Sequence, residues 1–157
     1  MTLPSTRSLA IAGASLAAVI LITLVVLSNT LHQINIKANE AQALQDILDF
    51  AETENKFAMA TGAYGLPEAL NTPRFTWPVR NGYRFVLRPN APGVELLEQS
   101  TFVTYRYIAY PVMEDAPGAP SYFYDNQHGT IHSRTDGFEA TGDDEVVWPP
   151  SSVQPQQ

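Results

Sequence analysis

The sequence predicts an α+β chain, with one long N-terminal helix packed on a small antiparallel sheet of about four strands. The helix is expected to span a membrane first and to become amphipathic later. Three observations carry this. No charged side chain occurs between Arg7 and Lys37. Leu44, Ile47, Leu48, Ala51 and Ala58 then recur at helical spacing. After Gly62 the pattern changes to short alternating runs separated by Pro and Gly.

The uncharged run comes first. Residues 9–27 read Leu-Ala-Ile-Ala-Gly-Ala-Ser-Leu-Ala-Ala-Val-Ile-Leu-Ile-Thr-Leu-Val-Val-Leu. A helix needs roughly 20 mostly apolar residues to cross the hydrocarbon core, because each residue rises about 1.5 Å. Its two hydroxyls, on Ser15 and Thr23, can bond to the helix's own carbonyls. A cleaved signal peptide is the competing expectation. Signal cores are shorter, however, and end at a small-x-small site, which Ser28-Asn29-Thr30-Leu31 does not offer. The segment 9–30 is therefore expected to stay as an anchor. Arg7 leads it without a nearby acid, and Glu40 is the first acid in the chain. The positive-inside rule then places residues 1–8 in the cytoplasm and the remainder outside.

All sixteen acids lie beyond the anchor, and the net charge is −7. Nucleic acid is a poor partner for such a surface. The absence of cysteine means that the outer domain relies on packing alone, or on its neighbours. Its first part, residues 31–62, is expected to continue as a half-buried amphipathic helix ending at Gly62. Phe50 and Phe57 flank the apolar stripe, while Glu40, Asp46, Asp49, Glu52 and Lys56 are assigned to the wet face. Residues 63–145 form the β head. Runs 82–89 and 102–110 read as strands, and 122–124 with 130–133 as a hairpin around Asp125-Asn126-Gln127-His128-Gly129. Phe85, Leu87, Tyr105 and Ile131 are the expected partners of the helix stripe. Residues 146–157, rich in Pro and Gln, read as a loose tail.

The order of these pieces resembles the type IV pilins and type II secretion pseudopilins. The resemblance rests on the helix running through Ile36-Lys37-Ala38-Asn39-Glu40 to Gly62-Ala63-Tyr64-Gly65-Leu66-Pro67. It also rests on Gly82-Tyr83-Arg84-Phe85 and on the Tyr122-Phe123-Tyr124-Asp125 to Gly129-Thr130-Ile131 hairpin. It covers residues 9–134. It implies an assembly subunit of a bacterial inner membrane, with no catalysis. The helix would contact lipid and other pilin-like subunits, and the head would face outside. A stand-alone anchored binding module is the alternative. In the family, Gly followed by Phe-Thr-Leu-x-Glu marks processing. Here Gly13 is followed by Ala14-Ser15-Leu16-Ala17-Ala18, so the N-terminus is expected to stay attached.

Chemistry-bearing residues are sparse. His128 and His132, near Asp125 and Asp136, are too few for the three or four converging ligands that zinc requires. Asp136, Asp143 and Asp144 offer loop oxygens to calcium, and some pseudopilin heads hold calcium. Their spacing nevertheless lacks the alternation of a dedicated loop. No Gly-x-Ser-x-Gly occurs, and Ser121 and Ser133 have no evident base and orienting acid. No catalytic residue, resident metal or cofactor is therefore expected. Arg80, Arg84, Arg88 and Arg106 alternate with apolar residues, as on the wet face of a half-buried sheet. Tyr105, Tyr107, Tyr122 and Tyr124, with Tyr110, form the most suggestive cluster. Two readings stand for them: an exposed binding surface, or aromatic sheet packing.

Overall fold

A computed structural model describes residues 6–90, 101–112 and 118–148. Helix α1 runs Thr6–Thr61. Contacts divide the chain into a unit ending at Lys37 and a unit beginning at Ala38. Over residues 18–27 the helix is apolar on every side. Leu24, Val25, Val26 and Leu27 follow one another, and each is more than half exposed. An all-round apolar helix without a protein partner has the pattern of a membrane span. By length and composition this helix can cross a bilayer. Thr23 and Thr30 donate their hydroxyls to the carbonyls of Val19 and Val26, both at 2.9 Å, so neither presents a free polar group.

The second unit holds the rest of α1 and the sheet. The helix ends where Gly62 takes φ +84°, which only glycine adopts without strain. Its N–H donates to Ala58 O at 2.8 Å, closing the last turn. Strand β1 (Tyr64–Gly65) follows and pairs with β4 (Thr101–Phe102). A 3-10 turn, Pro73–Thr76, leads into β2 (Val79–Arg80). The main sheet continues through β3 (Tyr83–Asn90), β5 (Thr104–Pro111), β6 (Ser121–Asp125), β7 (Thr130–Arg134) and β8 (Glu145–Trp148). Its order is β2-β3-β5-β6-β7-β8, antiparallel throughout.

The α+β class holds, but among the described residues the sheet has six strands rather than about four, with a second sheet of two. The added strands are too short to show alternation. Strand β2 is created by its turn: Asn81 (φ +50°) and Gly82 (φ +72°) both adopt the left-handed conformation of a tight Asn-Gly hairpin. Strand β8 lies where a loose tail was expected to begin, so the head extends to Trp148. Residues 149–157 of that expected tail lie outside the described residues. The expected strand 102–110 divides at Val103, which is 79 % exposed, into β4 and β5.

One face of the sheet packs on α1. Ala43, Ile47, Phe50 and Ala51 point inward from the helix, and Tyr83, Phe85, Tyr105, Tyr107 and Ile131 meet them from the strands. Leu87 is only half-buried. Phe50 is the centre of the contact. It stacks on Tyr107 with centroids 3.9 Å apart, and meets Phe75 and Tyr105 edge-on at 5.1 and 5.8 Å. Such pairs contribute about 0.5–1.5 kcal/mol each beyond their burial.

Two acids lie on this inward face, contrary to the assignment of Asp46 to the wet side. Asp46 is 3 % exposed because Arg80, also buried, reaches it with Nε at 3.2 Å. The guanidinium also donates to Tyr107 Oη at 3.0 Å and to the carbonyls of Arg74 and Trp77 at 3.0 and 2.5 Å. Its flat face lies 3.9 Å above the Phe85 ring. Glu54 is fully buried. One of its oxygens accepts the Gly65 N–H at 3.0 Å, and the other has no partner among the described residues. Burial pushes its carboxyl up to about 7, against the opposing pull of the Gly65 hydrogen bond.

Two predictions follow from these buried acids. Arg80→Met should destabilise the head by about 3–5 kcal/mol, because it leaves Asp46 buried beside only the half-exposed Arg74 at 3.9 Å. Pairing it with Asp46→Leu should restore most of the loss, since no charge is then stranded. Denaturant unfolding of the full chain in detergent measures both. For Glu54 the folded pKa lies above the ordinary 4.5. The fold therefore binds the proton more tightly than the unfolded chain, and this stabilisation is complete below about pH 4.5 and lost as pH rises through 7. The loss is on the order of 3 kcal/mol. Glu54→Gln keeps an oxygen for Gly65 and removes the ionisation. Between pH 5 and 8 the melting temperature of the parent should fall while that of the variant stays level.

Candidate functional site

The sheet has a second face, and the alternation of each strand decides what it carries. On β5, Tyr105, Tyr107 and Ala109 turn to the helix, so Arg106 and Ile108 turn away. The same rule sends Tyr122 and Tyr124 of β6 to the helix side, and Phe123 and Asp125 to the other. All four expected binding-surface tyrosines, Tyr105, Tyr107, Tyr122 and Tyr124, are thus core residues, none more than 6 % exposed. The binding-surface reading is corrected: a side chain packed under a helix has no area left to offer a partner. Burial pushes the Tyr122 phenol up to about 12 and raises those of Tyr107 and Tyr124, so the hydroxyls remain neutral donors and acceptors.

The second face forms the floor of a cleft of about 690 Å³. The registers arrange this floor in rows. Arg88, Arg106, Asp125 and Thr130 stand directly opposite one another across β3, β5, β6 and β7. The next row is Val86, Ile108, Phe123 and His132. A polar row thus runs beside a largely apolar one. Ile108 and Phe123, together with Ala140, form a small buried cluster of their own.

The wall of the cleft is the segment between β7 and β8, and two hydrogen bonds from the sheet hold it in place. Ser121 donates its hydroxyl to Phe138 O at 2.6 Å. Ring nitrogen Nδ1 of His132 lies 2.8 Å from Asp144 O, and Nε2 lies 3.0 Å from Thr130 Oγ1. A carbonyl only accepts, so Nδ1 carries the hydrogen and Nε2 accepts from Thr130. Asp144 in turn accepts the Thr141 N–H at 2.7 Å and its hydroxyl at 3.0 Å.

The calcium candidates are not brought to a common point. Asp136 accepts from Arg134 Nε and Nη2 at 2.6 and 2.7 Å. Asp144 is committed to Thr141 and lies 4.0 Å from the same guanidinium. Asp143 faces the cleft. The cation that gathers Asp136 and Asp144 is therefore Arg134. These hydrogen bonds also hold the Asp136 carboxyl below its ordinary value. Among the described residues no three His, Cys, Asp or Glu side chains converge as metal ligands. His128 is exposed and 3.8 Å from Asp125, while His132 is tied to the wall. Ser133 lies on the opposite face from His132, because the two are adjacent on β7.

Of the expected wet-face arginines, Arg84, Arg88 and Arg106 are exposed, and Arg88 pairs with Glu139 at 2.8 Å. Arg80 is the exception, buried against Asp46. Sequence reasoning did not join Arg88, Arg106 and Glu139 into one cleft. Alternation placed the two arginines on one face, but neither the strand register nor the position of the wall was readable. Calcium added to chelator-treated full-length protein should leave the melting temperature unchanged. A site held at a hundred times its dissociation constant would add about 2.7 kcal/mol, which melting would reveal.

No family model matches this chain, and neither a curated protein nor a solved structure does.

Proposed function

We propose that this chain is a membrane-anchored, pilin-like structural or accessory subunit of a secretion- or pilus-type assembly, and that it performs no catalysis. The observation that carries the proposal is the division of labour along one helix. Thr6–Thr61 is a single element whose early part is apolar and exposed, and whose later part is the core of an antiparallel head. In this reading the early part contacts lipid and the equivalent helices of other subunits. With Arg7 on the cytoplasmic side, the head lies outside a bacterial inner membrane as a single-pass domain. A second reading, a stand-alone anchored binding module, is favoured by the cleft on the outer sheet face.

The absence of cysteine makes the test direct, because any introduced thiol is unique. Single cysteines at Val19, Leu21, Ile22, Val25 and Val26 should be oxidised in native membranes. Assembly predicts disulfide-linked dimers from positions that repeat at helical spacing, with the intervening positions silent. Monomer at every position would overturn the assembly reading and leave the anchored module.

A further inference from the structure

The polar row of the outer face sets two arginines side by side, with Asp125 directly opposite Arg106 on its other side. Arg88 and Arg106 stand directly opposite on β3 and β5. Like charges in that position destabilise a sheet. Glu139 answers Arg88. Among the described residues Arg106 has neither an ion pair nor a side-chain hydrogen bond, and its guanidinium lies 5.7 Å from the centre of the Phe123 ring. An exposed, uncommitted guanidinium thus stands on the floor of a cleft, next to an apolar patch made by Ile108, Phe123 and Val146.

We propose that this cleft binds a compact organic carboxylate, a single negative charge carried on an apolar group. Three features select that class. The guanidinium fork matches a carboxylate with two parallel hydrogen bonds. Half-buried Val146, beside the covered Ile108–Phe123–Ala140 cluster, offers the apolar contact for the body of the ligand. The other charged groups in the cleft limit the charge: Asp125, Glu139 and Asp143 also line it, so a doubly charged phosphate would face three carboxylates with one uncommitted cation. The volume of about 690 Å³ lies within the range of small-molecule sites and suits a ligand the size of an acylated amino acid or a peptide's last residue. The site is independent of the membrane helix, so the inference does not rest on the assembly proposed above.

Titration of the full chain in neutral detergent tests it, with N-acetylphenylalanine, its amide and phenyl phosphate as probes and calorimetry as the readout. The acid should bind in the millimolar range or tighter, and the amide and the phosphate at least about tenfold more weakly. Arg106→Gln should lose at least about tenfold in affinity for the acid while remaining folded at the temperature of the titration. Arg84→Gln, on the same face but outside the cleft, should bind as the parent does. Equal binding of acid and amide, tighter binding of the phosphate, retention of binding in Arg106→Gln or no binding of the acid would each overturn the assignment. The acid–amide comparison is made on the parent protein, so the test stands even if a variant is poorly folded.

Discussion

Arg80 and Asp46 are far apart in sequence, and the head is organised where they meet. The guanidinium joins the helix through Asp46, β5 through the Tyr107 hydroxyl, and the 3-10 turn through the carbonyls of Arg74 and Trp77. Its remaining face lies on Phe85 of β3. A buried charge pair gives modest net stability, because desolvation offsets much of the attraction. What it provides here is position. The aromatic contacts around Phe50 would tolerate some sliding of the helix, but hydrogen bonds at about 3 Å to four separate groups would not. We regard this network as the register pin between helix and sheet.

Glu54 acts two turns further along the same helix face. Its hydrogen bond to Gly65 ties β1 down, and glycine fits closely there: an added Cβ would lie 2.8 Å from the Phe57 ring, which would have to shift. The small β1–β4 sheet is thereby fixed near the end of α1. The second carboxylate oxygen has no partner among the described residues, and burial of the group favours its proton. The helix face is therefore apolar at its centre and polar at two points, and both points receive a donor from the strand region.

Once α1 covers one face of the sheet, the other is free for a different use. The tyrosines go to the helix, where their rings fill the core; the Tyr107 hydroxyl accepts from Arg80, while that of Tyr105 has no hydrogen-bond partner among the described residues. The arginines of β3 and β5 go to the outer face by the same alternation. The β7–β8 connection folds over that face through Ser121 and His132 and turns a flat surface into a cleft. The position of the cleft thus depends on the helix–sheet contact.

The sequence by itself determined the α+β class, the apolar first segment of the helix and the stop at Gly62. Each is a local property: the absence of charge, a repeat of 3.6, a glycine free to take positive φ. The strands β3, β5, β6 and β7 were also readable, being long enough to alternate. Strand β2 was legible only through Asn81-Gly82, and β8 was hidden beside a Pro-rich end. The tertiary structure alone decided the fate of individual polar residues. Asp46 and Glu54 share the spacing of the apolar stripe, so whether they face water or the core depends on partners 34 and 11 residues away. The tyrosines were equally compatible with surface or core until the helix was placed over them. Arg88, Arg106 and Glu139 became one cleft only when strand register and the β7–β8 wall brought together residues up to 51 positions apart. Local patterns specify elements because they act over a few residues of one chain segment. Burial and electrostatic partnership are properties of the assembled fold, and no window of the sequence contains them.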